Sequence, residues 1–188
     1  IIISSLTQAG SSAAMTALQH GAVEVLAKPT SAYSIGQLAE QLPRHIKAAA
    51  VARLHRRPAA PAAAPPAMLN RISGGFGPRQ IIALGASTGG VEALTAVLTA
   101  LPAGLPGIAI TQHIPAYFSR AFAERVNSQS DLEVREAADG DLLQPGMALV
   151  APGDFHMTLS PTSHGFKVAL NQKPPVHHCR PAVDVMFR

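Results

Sequence analysis

Residues 58–67 read PAAPAAAPPA, and this run limits the fold more than any other feature of the sequence. Proline removes a backbone donor, and a proline–alanine run favours extended, semi-rigid conformations that cannot build a hydrophobic core. The glycine-rich residues that follow it are also irregular. We therefore predict a linker over residues 56–78, which separates a segment of residues 1–55 from a larger segment of residues 79–188.

Both segments alternate apolar strand patterns with helical patterns. Such alternation predicts an α/β fold with a parallel sheet and right-handed crossovers. A Pro152-Gly153 turn signal also predicts a hairpin between two short strands. The predicted strands are residues 1–4, 23–27, 80–85, 108–111, 148–151, 157–159 and 167–170, and the predicted helices are residues 12–20, 34–54, 87–101 and 118–126.

The net charge of +4 comes from one stretch of the 188-residue chain. Seven of the fifteen basic residues and none of the eleven acidic ones lie between Leu42 and Gln80, so the remainder carries eight basic against eleven acidic residues. That stretch offers alanine and proline rather than base-stacking aromatics, which argues against nucleic-acid binding. The single cysteine excludes an internal disulfide, and no apolar run approaches a membrane span. We expect a cytoplasmic protein without direct membrane insertion.

A glycine-rich turn, GASTGG, runs from Gly85 to Gly90 between a predicted strand and a predicted helix. A phosphate-binding P-loop needs Lys followed by Ser or Thr after its last glycine, whereas Val91 and Glu92 follow here. A dinucleotide fingerprint needs glycine where Ser87 stands, and an acidic residue at the end of the next strand, which here ends in Thr-Gln-His. Both nucleotide sites are therefore disfavoured.

The spacing Gly85-x-Ser87-x-Gly89 matches a nucleophile elbow instead, in which a sharp turn exposes a serine hydroxyl above the sheet. We predict that the following helix starts at Ser87 and points free N–H groups, that of Thr88 first, at a developing oxyanion. The alternative is that Ser87 only caps this helix, which is a common use of serine.

His113 follows the next predicted strand, and parallel strands end at the same edge of a sheet, so we expect His113 to meet Ser87. A serine beside a histidine base suits acyl transfer. The alternative is the chain order of α/β-hydrolases, serine then acid then histidine, which would pair Asp141 or Asp154 with His177.

Five stretches over residues 79–188 together resemble the N-terminal two-thirds of the catalytic domain of the chemotaxis protein-glutamate methylesterases. They occur in order and are IIALGASTGG (81–90), TQHIP (111–115), FAERV (122–126), APGDFHM (151–157) and CRPAVDVMF (179–187). The resemblance implies a three-layer, doubly wound α/β/α domain with a mainly parallel sheet. Residues 1–55 resemble the C-terminal half of a flavodoxin-like response-regulator receiver domain.

The resemblance implies that Ser87 is the nucleophile and His113 the general base and acid. The substrate would be a glutamate methyl ester on a methyl-accepting chemotaxis receptor, hydrolysed to glutamate and methanol, and the same site would deamidate glutamine. His156 and Arg180 lie in family-like stretches and are candidates for lining the cleft. The catalytic aspartate of the family would lie beyond Arg188, and Asp184 is not a substitute for it.

In the receiver-like segment, Ser4 matches the hydroxyl residue that contacts the phosphoryl group, and Lys28 matches the lysine that pairs with phosphoaspartate. The resemblance implies a cis bond between Lys28 and Pro29, a histidine kinase as phosphodonor, and Mg²⁺ for phosphorylation of the full-length protein. The phosphoacceptor and its acidic pocket would precede Ile1. Val25 stands where receivers usually carry an aromatic switch residue.

Two further expectations concern function. The chain could be a non-catalytic module that binds a partner through its receiver-like part. We also expect the 188 residues alone to be poorly active or unfolded, because they lack the catalytic aspartate. His177 and His178 neighbour Cys179, but adjacent strand residues point to opposite faces, so no metal site is expected.

Overall fold

The structure is a computed structural model that describes residues 1–4, 8–29, 32–52, 76–77 and 79–188. The predicted linker of residues 56–78 lies almost wholly outside these ranges. The elements in chain order are β1 (Ile2–Ser4), α1 (Gln8–Gln19), β2 (Val25–Ala27), α2 (Ala32–Val51), β3 (Ile81–Ala86), α3 (Gly90–Ala100), β4 (Gly107–Gln112), α4 (Phe118–Asn127), β5 (Glu133–Glu136), β6 (Leu142–Leu143), β7 (Met147–Val150), β8 (His156–Thr162), β9 (Gly165–Asn171) and α5 (Val183–Met186).

A four-stranded parallel sheet in the order β3-β4-β7-β5 forms the centre of the larger segment. Every residue of β4 is buried, as expected for an apolar strand covered on both faces. Strands β3 and β4 pair in register from Ile81 opposite Gly107 to Ala86 opposite Gln112. Both strands therefore end at the same level, which places the residues that follow them side by side.

Alternate residues of the central strands face two different cores. Ile108, Ile110 and Val150 pack with Phe118 and Phe122 of α4 on one face. The opposite core holds residues of the central sheet together with residues of β8, β9 and α5. Within the described residues this second face is covered by the antiparallel sheet β6-β9-β8 and by α5. The α/β class with a mainly parallel sheet is confirmed. Within the described residues this outer layer is largely β-sheet, whereas the resemblance implied helices on both faces of the central sheet.

The predicted hairpin around Pro152-Gly153 is wrong. Strand β7 lies in the parallel sheet between β4 and β5, whereas β8 pairs antiparallel with β9 in the other sheet. The hydrogen-bonding edges of β7 are already occupied by two parallel neighbours, so β8 must pair elsewhere. The chain does turn at Pro152-Gly153, but this turn connects a strand of the central sheet to a strand of the antiparallel sheet.

Two further local predictions are also wrong. Helix α3 begins at Gly90 rather than Ser87, because Ser87, Thr88 and Gly89 form a separate turn. The cis peptide bond found in the described residues is Arg180–Pro181, and the Lys28–Pro29 bond is not cis. The trans form is preferred even before proline, so resemblance alone was weak support for a cis bond.

The first segment packs against the larger one. Strands β1 and β2 form a parallel pair with Ser4 opposite Ala27. Met15 and Leu18 of α1 join the core that contains the buried side of α4, and the Arg125 guanidinium donates to the Met15 carbonyl oxygen at 3.3 Å. That residues 1–55 belong to a receiver domain stays a prediction. In the described part of the chain, no helix combines the length and apolarity that crossing a bilayer requires.

We predict that Gly153→Ala destabilises the fold, because a Cβ there would lie 2.4 Å from the Ala116 nitrogen and the Pro115 carbonyl carbon. Backbone atoms cannot move aside as a flexible side chain can, so we expect a loss of about 1–3 kcal/mol in the free energy of unfolding. Denaturant unfolding measures it. Gly36→Ala is the matched control, because that helical position has no atom within 4 Å of the added Cβ. It should be neutral or slightly stabilising, and equal losses in both variants would contradict the steric argument.

Candidate active site

The turn after β3 presents Ser87 at the carboxyl edge of the central sheet. Gly89 adopts a left-handed conformation with φ 77°, and the Gly90 N–H donates to the Ser87 carbonyl oxygen at 2.7 Å. Helix α3 has Gly89 at its N-cap and no side-chain capping hydrogen bond. The capping role that was the alternative for Ser87 is therefore not what its side chain does. The Thr88 N–H has no backbone acceptor among the described residues, so it is free to face a ligand.

His113 lies beside Ser87, as the shared sheet edge predicts. The His113 N–H donates to the Ala86 carbonyl oxygen at 3.1 Å, which continues the β3–β4 pairing by one residue. The Nδ1 atom of its ring lies 3.1 Å from the Ser87 Oγ. A serine hydroxyl and an imidazole nitrogen at this distance can exchange a proton, as nucleophilic catalysis by serine requires.

The surroundings of the His113 ring favour its neutral form. Burial lowers the pKa of the imidazole, and the negative charges of Asp184 and Glu24 oppose this shift with smaller effects. The Nε2 atom is buried and has no hydrogen-bond partner among the described residues. When Nδ1 accepts a proton from serine, Nε2 carries the ring hydrogen. The buried Nε2 is therefore the position at which a carboxylate could accept a hydrogen bond and orient the ring.

Cys179 also lies close to the His113 imidazole, which the sequence did not suggest. Its Sγ lies 3.5 Å from His113 Nδ1, the same nitrogen that faces Ser87. Burial raises the pKa of the Cys179 thiol, so the thiol form is favoured over the nucleophilic thiolate. The contact could not be found from spacing, because 66 residues separate the two side chains.

The two candidate cleft residues occupy different places. His156 is 1% exposed; its Nδ1 accepts from the Ala182 N–H, and its Nε2 lies 3.2 Å from the Pro174 carbonyl oxygen, which makes it a buried structural residue. Arg180 does line the cleft. Its guanidinium binds the Asp154 carboxylate through two nitrogens, and Nη1 donates to backbone carbonyl oxygens in the preceding loop.

The alternative triad of an α/β-hydrolase is not assembled. The Asp141 carboxylate pairs with Arg135 and accepts the Ala138 N–H, and the Asp154 carboxylate is held by Arg180. His177 is exposed and lines the same cleft, but it makes no hydrogen bond to Ser87 in the described structure. The histidine next to Ser87 is therefore His113. This geometry favours the Ser87–His113 pair over the α/β-hydrolase order of serine, acid and histidine that would use His177.

A cleft of about 440 Å³ opens at Ser87 and His113. Residues 177–181 form one wall, and residues of β2 and α2 in the first segment form the other. Glu24, which the sequence analysis did not single out, joins the two sides. It pairs with His45 at 2.8 Å, and both of its carboxylate oxygens lie 3.3 Å from the Thr88 hydroxyl.

The receiver-like residues Ser4 and Lys28 are adjacent at the end of the β1–β2 pair, where the Lys28 N–H donates to the Ser4 carbonyl oxygen at 2.7 Å. Magnesium prefers carboxylate ligands. The described residues include no group of three or more histidine, cysteine, aspartate or glutamate side chains that could hold a metal ion. The residues at this edge therefore do not by themselves fit Mg²⁺.

A serine–histidine pair at the carboxyl edge of a mainly parallel sheet, next to an unused backbone N–H, defines a site of the serine-hydrolase type. Comparison with known proteins narrows this class. The family model described as CheB methylesterase matches residues 82–188. The chain therefore belongs to the CheB methylesterase family.

Individual relatives agree with this assignment. Over its whole length, the chain is 46% identical to protein-glutamate methylesterase/protein-glutamine glutaminase 2 of Syntrophus aciditrophicus and 49% identical to the similarly named protein of Pseudomonas aeruginosa. It spans about half the length of these relatives, 55% and 53%. The crystal structure of the Thermotoga maritima CheB methylesterase catalytic domain aligns with a TM-score of 0.55 at 36% identity, covering 58% of each chain.

We predict that the His113 imidazole titrates below 6.5, the ordinary value for histidine, because burial disfavours its charged form. An NMR pH titration of the ring signals measures this midpoint. Asp184→Asn is the informative comparison, because removing that negative charge should lower the midpoint further. A midpoint above 6.5 in the unmodified protein would contradict the role assigned to burial.

Proposed function

We propose that the protein is a serine hydrolase that removes methyl groups from glutamate methyl esters on proteins. The observation that carries this proposal is the 3.1 Å contact between Ser87 Oγ and His113 Nδ1. The family and the names of the relatives supply the ester class, since the pair alone would serve acyl transfer of many kinds.

In the first half of the proposed reaction, the Ser87 oxygen attacks the ester carbonyl carbon while His113 Nδ1 takes the hydroxyl proton. The tetrahedral intermediate collapses, the bond to the methoxy group breaks, and the proton on Nδ1 passes to the leaving oxygen to form methanol. In the second half, water attacks the acyl-enzyme with His113 again acting as base, which releases glutamate and restores Ser87.

The developing oxyanion needs donors that are already in place, because solvent reorganisation would otherwise raise the barrier. The Thr88 N–H adjoins the nucleophile and is not used by a backbone acceptor in the described residues. We assign it to the oxyanion hole. A glutamine side chain would pass through a similar intermediate with ammonia as the leaving group, so glutaminase activity at the same site follows from the same geometry.

The proposal includes a carboxylate partner for His113 Nε2, supplied by the full-length protein. The nitrogen is buried and has no partner in the described part of the chain. A carboxylate there would hold the ring in the tautomer that leaves Nδ1 free to accept, and loss of such a partner costs about 10⁴-fold in rate in a serine protease. Asp184 acts on the imidazole through its charge, and its side chain is exposed to solvent rather than buried beside Nε2.

The substrate proteins we propose are methyl-accepting chemotaxis receptors, whose cytoplasmic helices would carry the esters. On this proposal the activity would be cytoplasmic. The support is the naming of the relatives as protein-glutamate methylesterases, together with an open cleft whose volume of about 440 Å³ exceeds that of a single side chain.

We predict that Ser87→Ala and His113→Ala each reduce methanol release from methylated receptor by the full-length protein by at least about 10³-fold. Methanol release is measured with receptor methylated beforehand. Ser160→Ala, at an exposed serine on β8, is the matched control and should keep the full rate. If Ser87→Ala releases methanol as fast as the unmodified protein, Ser87 is not the nucleophile and the proposal fails. If the unmodified full-length protein itself releases no methanol, a non-catalytic binding module becomes the better interpretation.

We further propose that the receiver-like segment controls this site through phosphorylation by a histidine kinase, with Mg²⁺ bound by residues outside the described set. Ser4 and Lys28 would contact the phosphoryl group at the end of the β1–β2 pair. The support for control is that β2 and α2 form one wall of the cleft, and that Glu24 reaches Thr88 beside the nucleophile.

We predict that Glu24→Ala raises the basal rate of methanol release about 2- to 10-fold, because it removes a hydrogen bond that holds the first segment over the cleft. The rate is measured without a phosphodonor. Glu40→Ala is the control, since this exposed glutamate of α2 makes no such contact in the described structure. A fall in the basal rate of Glu24→Ala would contradict the proposed restraint.

A further inference from the structure

Gln112 is a buried amide directly below the catalytic pair, and the mechanism above does not use it. It is the last residue of β4, is only 3% exposed, and pairs in register with Ala86 at the end of β3. A buried amide needs hydrogen bonds to offset the loss of its contacts with water, so the identity of its partners indicates its role.

The partners of the amide nitrogen are the backbone carbonyls of the two catalytic residues. Gln112 Nε2 donates to the Ser87 carbonyl oxygen at 2.8 Å and to the His113 carbonyl oxygen at 3.2 Å. The Ser87 oxygen also accepts the Gly90 N–H. Because both side-chain contacts are to carbonyl oxygens, the nitrogen rather than the oxygen of the amide must face them, which fixes the orientation of the group.

The oxygen of the Gln112 amide is also buried, and its burial is energetically unfavourable. Gln112 Oε1 has no hydrogen-bond partner among the described residues. It lies against Gly90, where an added Cβ would come within 2.0 Å of it. An apolar side chain of the same length would fill this space without leaving a buried acceptor unpaired. Packing alone therefore does not account for an amide at this position.

We propose that Gln112 is a positioning residue for the catalytic pair. One amide group holds the backbone of the nucleophile and the backbone of the base, and so sets the distance between Ser87 Oγ and His113 Nδ1. The inference rests on the proposed serine-hydrolase function. It adds a residue that does not touch substrate, and whose loss acts on the chemical step because small displacements of reacting groups cost large factors in rate.

The test compares Gln112→Met with Thr111→Val in the full-length protein. Methionine keeps the length of the side chain and removes only the amide. Thr111 is the neighbouring buried polar residue, and its hydroxyl donates to Met186 Sδ, away from the catalytic pair. We expect Gln112→Met to lower kcat for methanol release about 10- to 100-fold with KM unchanged. Thr111→Val should keep kcat, and thermal melting should show both variants folded.

A second measurement does not depend on the natural substrate. A fluorophosphonate probe labels activated serines: the Ser87 oxygen forms a bond to phosphorus, fluoride leaves, and the hydroxyl proton passes to His113. We expect Gln112→Met to slow labelling of Ser87 by a similar factor and Thr111→Val to label at the unmodified rate. Gln112→Glu should label most slowly, because its carboxylate would face two carbonyl oxygens.

The possible results separate the two proposals. Labelling and kcat of Gln112→Met at the unmodified level would overturn the positioning role, as would equal losses in Gln112→Met and Thr111→Val, since these would reflect a general effect on the core. If the unmodified protein shows no Ser87-dependent labelling or methanol release, it is the proposed nucleophile that fails, and the inference fails with it.

Discussion

The pairing register of β3 with β4 is the constraint on which the site depends. Ala86 lies opposite Gln112, so the two chain segments leave the sheet at the same level and in the same direction. The His113 N–H then donates to the Ala86 carbonyl oxygen and keeps the segments together for one residue beyond the strands. A shift of one residue would turn the buried faces of β4 to the wrong sides and move His113 away from Ser87.

The turn between β3 and α3 depends on two glycines for different reasons. Gly89 supplies a left-handed backbone conformation that other residues adopt only with strain. Gly90 supplies space, since a Cβ there would meet the Gln112 amide. This explains why the sequence predicted the elbow but misplaced the start of the helix. The Gly-x-Ser-x-Gly spacing carries the sharp turn, but not the number of residues the turn uses before helical hydrogen bonding begins.

What the sequence predicted was local, and what it missed came from distant segments. The strands and helices around Ser87 and His113, and the meeting of the two side chains, follow from apolar periodicity and the geometry of a parallel βαβ unit. The position of β7 between β4 and β5 depends on which strand edges are free, which no short pattern records. Cys179 and Glu24 reach the site from 66 residues after His113 and 64 residues before Thr88.

The protonation state of His113 depends on residues from distant segments of the chain. Burial favours the neutral ring, while Asp184 from α5 and Glu24 from the first segment both favour the charged ring. As the proposed general base, His113 must be neutral to accept the serine proton, so burial favours the form of the ring that can act and the two carboxylates oppose it. Movement of the first segment away from the cleft would remove Glu24 from this balance and expose the ring to water. Control of access and control of the base would therefore be linked, because one segment supplies both the wall of the cleft and one of the charges acting on His113.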